Sequence, residues 1–289
     1  MRGQIIGNCG NETPHTGLGN CPKQEGKIVA LLVTTRSLNF SVNATEFITG
    51  LSNATIAATS VRLFPIKNIV GMTINGGDIH APDLGNYGGP APTNLNAKNV
   101  AYQIDGGDCL YKELAKFNKR KMRVFRVDDE GYVYGTVIEE NGTKKFAGFE
   151  CTLYANRVPT DGSTAYNLSL YVYYTPNNEI EEKNMNAFEV GLTSIPDGLI
   201  GLTLVKGSTS GKTKIVTICG GDDVTDEIGS KLTTDTFLND SGEHPTTATY
   251  AKGEITIEPA GSYKIADAET LNRVDIVGFE GVDEYVSLS

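Results

Sequence analysis

The sequence predicts a mainly β protein of two domains, and three observations carry that expectation. Its 33 glycines and 13 tyrosines, with no tryptophan, lean towards strands and tight turns. The stretch TAYNLSLYVYYT alternates strictly, with Tyr166, Leu168, Leu170, Val172 and Tyr174 on one face and Asn167, Ser169, Tyr171 and Tyr173 on the other. The last ~90 residues hold six or seven short apolar runs between turn residues, the pattern of an immunoglobulin-like sandwich. A length of 289 residues allows two domains of ordinary size, and the turn-rich TSIPDG places the boundary between them: 1–196 and 197–289.

After a leader rich in Gly, Asn and Cys, KIVALLVT predicts a buried strand. NATEFITGLSNATIAATS is ambiguous: Phe47, Ile48 and Leu51 have helical spacing, while Gly50 and the Thr/Asn content oppose a helix. SVRLFPIKNIVGMTI returns to strand composition, with Pro65 pointing to an edge or a bulge. Residues 76–98, GGDIHAPDLGNYGGPAPTNLNAK, predict a long loop too polar and glycine-rich to order itself. A helix follows over 108–118, with Asp108 as its N-cap and Leu110, Leu114 and Phe117 as its apolar stripe. Val124 and Val127 mark the next strand, which turns at Asp128-Asp129-Glu130-Gly131 into an alternating Tyr132, Tyr134, Thr136 strand. Asn141-Gly142 supplies a second hairpin turn, before Phe146, Phe149, Cys151 and Leu153. In the second domain, strands are expected over 202–206, 214–219, 254–258, 262–265, 274–277 and 284–288.

Several kinds of chemistry are weighed and set aside. LVKGSTSGKTKIVTICGG looks like a nucleotide-binding loop, yet Gly207 and Gly211 enclose three residues instead of four, and Lys212-Thr213 leads into β-branched strand residues rather than a helix. It reads as a hairpin. The formal net charge of -10 repels nucleic acid, and the basic cluster Lys116, Lys119, Arg120, Lys121 and Arg123 complements a helix end. Cys9, Cys21, Cys109, Cys151 and Cys219 lack C-x-x-C spacing and suit reduced, mostly buried thiols, even with His15 between the first two. His80 with Asp78 and Asp83 reads as solvated loop, and Asp222, Asp223, Asp226 and Glu227 do not follow a calcium-loop spacing. His15, His80 and His244 all fall in loop contexts without a catalytic motif, so no catalytic, cofactor-binding or metal residue is expected, and no enzyme. No apolar run reaches the ~20 residues of a membrane span, and the leader lacks the apolar core of a signal peptide. A protein made in a cytoplasm, and kept there or released by lysis, is expected. The tyrosine stripe suits packing against a neighbouring subunit, with sugar or base recognition as the other use of the same residues.

GDCLYKELAKFNKRKMRVFRVDDEGYVYGT, then ICGGDDVT and a terminal VDIVGFEGVDEYVSLS, together with an N-terminal NCG before IVALLV, resemble virion structural proteins of tailed phages and prophages of gut Bacteroidota. Within that group the resemblance is to tail-tube proteins that carry a C-terminal immunoglobulin-like domain. It implies a tail-tube-like antiparallel β-barrel or sandwich with one flanking helix (108–118), and an inter-subunit loop (76–98). It also implies self-assembly into stacked hexameric rings, contacts with other virion proteins, DNA only as passing cargo, and assembly in the host cytoplasm. Another virion part, such as a capsid decoration or tail-hub protein, is the alternative, followed by a cell-surface adhesin or carbohydrate-binding module.

Overall fold

The computed structural model describes residues 25–83, 88–160, 163, 165–175, 178–208 and 211–288. It is mainly β, 44% strand against 18% helix, with several antiparallel sheets. Two compact units divide the chain, one of Met1–Thr55 and Thr59–Pro196, the other of Ile56–Ala58 and Asp197–Ser289.

The first unit opens with β1 (Ile28–Thr34), buried along most of its length, and the short β2 (Phe40–Ser41). The ambiguous segment is a helix, α1 (Ala44–Ile56). Asn43 caps it, its Oδ1 accepting from the N–H groups of Thr45 and Glu46 at 3.0 and 3.3 Å. Phe47, Leu51 and Ala54 face the core. Gly50, which argued against a helix, lies under the Phe40 ring: a Cβ there would come within 3.1 Å of it. The tertiary contact thus outweighs a propensity cost of about 1 kcal/mol.

Among the described residues, edge strand β3 (Leu63–Ile66) pairs only with β1, which leaves Pro65 harmless. Strands β4 (Ile69–Asn75) and β7 (Asn99–Ile104) form a hairpin whose far end carries a further pair, β5 (Ile79–His80) and β6 (Asn94–Leu95). The expectation of a long loop over 76–98 is therefore corrected. Gly77 N–H donates to Asn96 O (3.2 Å), Asn96 N–H to Asp78 O (2.8 Å) and Thr93 N–H to His80 O (2.9 Å), so backbone pairing extends the hairpin into an arm.

Helix α2 (Asp108–Ala115) is shorter than predicted, and Gly107 rather than Asp108 occupies its cap. Asp108 instead accepts from Arg157 at 2.5 Å. Strands β8 (Lys121–Asp128), β9 (Tyr132–Glu140), β10 (Thr143–Ala147), β11 (Phe149–Val158) and β12 (Asn167–Tyr174) follow, then helix α3 (Asn178–Lys183) and β13 (Met185–Glu189). Asn141 and Gly142 take positive φ (51° and 75°) in the β9–β10 turn, as that dipeptide predicts.

All strands of this unit but β5 and β6 join one antiparallel sheet, which branches at β8 and again at β9, where β13 pairs beside β10. Strand β8 pairs with β1 along one edge, and along the other with β11 near its start and β9 near its end. Side chains therefore leave β8 into two separate cores. Val124 joins Leu31, Tyr102, Leu153, Leu170 and Leu114 of α2 in one. Phe125 and Val127 join Leu32, Phe146, Phe188 and Phe47 of α1 in the other. The single flanking helix expected for this unit is thus corrected: α1 and α2 each cover a different core.

Phe47 sits among four rings, with centroids 5.0 Å from Phe188, 5.1 Å from Phe146, 5.2 Å from Phe40 and 6.1 Å from Phe125.

The second unit has a five-stranded sheet, in the order β17 (Thr247–Ala251), β18 (Glu254–Glu258), β15 (Thr213–Thr217), β14 (Ile200–Lys206), β20 (Phe279–Gly281). A three-stranded sheet holds β16 (Phe237–Asn239), β19 (Ser262–Ile265) and β21 (Val286–Ser287). Leu202, Leu204, Ile215 and Ile255 from the first sheet share a core with Phe237, Tyr263 and Ile265 from the second. The β14–β20 pair is parallel. The strand expected over 274–277 is absent. Asp267 caps α5 (Ala268–Arg273) by accepting from Thr270 N–H, and the chain leaves that helix through Asp275 at φ 61°. The acidic stretch, read as a loop, contains the one-turn helix α4 (Thr225–Ile228).

Truncating Phe47 to Ala should destabilise the first unit by about 3–5 kcal/mol, the usual cost of deleting a fully buried aromatic. Urea denaturation followed by tyrosine fluorescence measures it, and a change under 1 kcal/mol would contradict the packing described.

Candidate functional site

Alternation along β8 sends Arg126 and Asp128 to the same side as Met122 and Val124, into the core that α2 covers. Arg126 is only 5% exposed. A bare guanidinium there would cost several kcal/mol, so its partners define the site. Its Nε lies 2.6 Å from Glu25 Oε1, a contact not aligned for a hydrogen bond, so the attraction is ionic. Nη1 is 3.5 Å from the Tyr174 hydroxyl and 3.9 Å from Glu182 of α3, and the guanidinium stacks 4.4 Å above the Phe149 ring. Glu182 also binds Lys98 Nζ at 2.8 Å. Two cations and two carboxylates therefore compensate one another inside an aromatic box.

Burial dominates the electrostatics. It pushes the Glu25 carboxyl above its ordinary value, although Arg126 pulls the other way. Tyr102, in the same core, is pushed up for the same reason. Asp128 accepts from the Tyr134 hydroxyl at 2.8 Å and from the Tyr132 and Glu130 N–H groups at 2.9 and 3.1 Å, which fixes the β8–β9 turn. Near the start of β8, Glu181 accepts from Glu150 N–H (2.8 Å) and Arg123 (3.2 Å), and burial raises its carboxyl too.

A cavity of about 440 Å³ opens next to this cluster. Lys98, Tyr174 and Glu182 line its charged side, and Ile74, Gly77 and Leu95 its arm side. The charged cluster thus stands at the root of the arm. Beyond it, apolar side chains are left open: Val70 is 62% exposed, Ile74 53% and Ile79 65%. Strand β4 pairs with β7 alone among the described residues, so its other edge is unsatisfied.

The residues weighed from sequence scatter elsewhere. His80 sits in β5 with its carbonyl bound by Thr93, and Asp78 accepts from Asn96 Nδ2 at 2.9 Å. His15, Cys9 and Cys21 lie outside the described residues. His244 Nδ1–H donates to Phe237 O at 2.9 Å, beside a smaller cavity of about 210 Å³. Gly207 and Lys212 flank the β14–β15 hairpin, and Lys212 Nζ is bonded to Thr256 in the sheet. Lys116 pairs with Glu113, and Arg123 with Gly148 O and Glu181, so those two members of the basic cluster are engaged. Asp223 is held by Lys214 Nζ (2.7 Å) and Thr225 N–H (3.0 Å), while Asp226 accepts from Tyr250 at 2.6 Å. No three His, Cys, Asp or Glu side chains converge on a metal position among the described residues.

The cysteines require a correction. Cys109 and Cys219 each belong to a disulfide, against the expectation of reduced thiols; Cys151 is free, fully buried and has its thiol pushed up by that burial. Spacing rules detect only local pairs, which is why the sequence did not reveal this.

The tyrosine stripe divides as its alternation predicts. Tyr174 points into the core, whereas Tyr171 and Tyr173 point away from it. On that outer side four strands align in three rows: Tyr154–Tyr171–Ala101–Thr73, Thr152–Tyr173–Asn99–Asn75 and Asn156–Ser169–Gln103–Gly71. None of these positions carries a charge at neutral pH.

Arg126 has a signal of its own in the sequence. In KMRVFRVD it shares parity with Met122 and Val124, and an arginine on the apolar face of a buried strand demands partners. Comparison of the chain with protein-family models and with curated proteins finds no match in either. The site's meaning therefore rests on its geometry.

Replacing Arg126 with Ala should destabilise the first unit at neutral pH, by less than the roughly 3–5 kcal/mol of a fully buried pair, because Glu25 is left half-buried without its cation. That cost should shrink as pH falls and the Glu25 carboxyl, already raised, takes up a proton. Urea titrations at pH 7.5 and 5 measure both; a cost independent of pH would rule out the ionic account.

In the second unit, Lys214 and the Thr225 hydroxyl and N–H lower Asp223 to about 2. A depressed carboxylate stabilises above its unfolded value, about 3.9, and that contribution is lost as pH falls towards 2. The thermal midpoint of this unit should drop across that window, and Asp223→Ala should flatten that part of the profile. An unchanged pH profile in the variant would refute the assignment.

Proposed function

We propose that this protein is a non-enzymatic structural component of a phage virion, most simply a tail-tube subunit that assembles into stacked hexameric rings around passing DNA. The observation that carries the reading is the β4 edge with its arm. Natural edge strands are blunted by charge, proline or bulges. IVGMTIN has no charged residue and no proline; its one register shift, between Ile69 and Gly71, lies at the start, and Met72 and Ile74 beyond it remain open. An arm that projects apolar Ile79 and Leu95 on a backbone ladder is suited to docking on a neighbouring copy. The charge-compensated cluster at its root would fix the direction in which it leaves the body. The second unit, with its two sheets around one core, suits an immunoglobulin-like decoration facing outward. Oxidised Cys109 and Cys219 suit a particle that leaves the host cytoplasm, since disulfides persist in oxidising surroundings. Another virion role, as a capsid decoration or tail-hub protein, would use the same edge but without closed rings.

Negative-stain microscopy and light scattering of the full chain should show rings or tubes. Two variants separate the contributions: residues 76–98 replaced by a short Gly/Ser linker, and the double substitution Met72→Lys, Ile74→Lys. Each should reduce assembly. A wild-type chain that stays monomeric at millimolar concentration would overturn the self-assembly reading, and rings unaffected by either variant would remove the edge and arm from it.

A further inference from the structure

We infer that the outer face of the β4–β7–β12–β11 sheet, uncharged over its central rows, is a binding surface for a neutral polysaccharide. On a chain of net charge -10, twelve positions across four strands hold no charged side chain; the charges stand at their border, Glu150 of β11 paired with Arg36, and Lys121 of β8 in register with Thr152. Tyr154 and Tyr173 are 43% and 45% exposed, and the Tyr171 and Tyr173 rings lie 6.2 Å apart and within 20° of parallel. Small Ala101 sits beside Tyr171 in register, so the neighbouring strand places no bulky side chain against that ring. Asn75 and Asn99, bonded to each other at 3.3 Å, and Gln103 lie along the neighbouring strands.

The chemistry of the face selects the occupant. Anionic ligands, nucleic acids included, need a positively charged groove for stacking on aromatic rings, whereas Lys121 at the border is offset by Glu150 beside it. A second copy of the chain is disfavoured by composition: interface cores are about 65% apolar, whereas this face is mainly amide, hydroxyl and phenol. The open aliphatic surface lies on the opposite side, where Met72 and Ile74 register with the buried Tyr102 and Val100. A pyranose chain matches what remains. Its axial C–H faces lie on tyrosine rings, and its hydroxyls both donate to and accept from side-chain amides. The inference does not rest on the tube reading, because it uses a different face of the sheet.

The test is electrophoresis of the full chain through native gels containing a neutral polysaccharide: mixed-linkage β-glucan, xyloglucan, galactomannan or amylopectin, with anionic alginate as a comparison. At least one neutral polymer should retard the protein, and alginate should not. Tyr154→Ala and Tyr173→Ala should each weaken the affinity by roughly two- to tenfold, the worth of one stacked ring. Tyr173→Phe should retain binding, because the ring and not its hydroxyl does the stacking. Both tyrosines are exposed, so an unchanged thermal midpoint verifies that the Ala variants fold. Sedimentation of the same samples reads assembly separately. Failure of every neutral polymer to retard the protein, equal retardation of the Ala variants, or an effect of those variants on oligomeric state alone would each overturn the proposal.

Discussion

The first unit depends on one strand having no solvent face. Both sides of β8 are buried, and its two edges are taken by β1 on one side and by β11 and β9 on the other. Each residue must therefore fit a particular core, Val124 and Arg126 on one side, Phe125 and Val127 on the other. A slip of one residue would drive Arg126 into the phenylalanine cluster and bring Phe125 against Glu25, an exchange no rotamer change could absorb. The buried guanidinium is thus less a source of stability than a lock on register, since an ion pair in such a place roughly balances its own desolvation.

Fixing β8 fixes what hangs from it. The sheet runs outward through β11, β12 and β7 to β4, and cover ends before the strands do. On β7, Val100 and Tyr102 are buried; on β4, the paired Ile74 and Met72 are not. The same side of the same sheet therefore passes from core to open apolar surface within one strand spacing. The other side is mainly hydroxyl, amide and tyrosine over its central rows, with Glu150 at its border. One sheet thus offers two chemically distinct surfaces, an apolar edge suited to another backbone and a neutral plane suited to sugar rings. Neither needs the charges that make up the rest of the acidic chain.

What was legible in the sequence follows from how local each feature is. The β9–β10 turn, the β14–β15 hairpin and the alternation of β12 depend on neighbouring residues, so Asn141-Gly142, Gly207 to Lys212 and Tyr166 to Tyr174 could be read directly. Helix α1 was obscured by Gly50, whose reason is the Phe40 ring, a contact no periodicity contains. The arm was obscured because its ladder uses backbone groups; Gly77 and Asn96 pair without any side-chain preference for a strand. Val274 to Val277 looked like a strand, but the cap at Asp267 had already committed the preceding residues to a helix. The charged cluster joins Glu25, Lys98, Arg126 and Glu182, too far apart in sequence for any spacing rule.

The cysteines bring chemistry and location together. Thiol oxidation follows access and thiolate character, and the chain contains both extremes. Cys151 lies on β11 beside Met122 of β8, facing the core, where burial suppresses its ionisation, while Cys109 and Cys219, both partly accessible, are each bonded. A chain that folded in reducing surroundings could bury Cys151 first and keep it as a small apolar side chain, leaving the accessible sulfurs to close when the surroundings change. Bonds formed in that order would add restraint to a fold already specified by its cores, which suits a protein assembled inside one cell and exposed outside it.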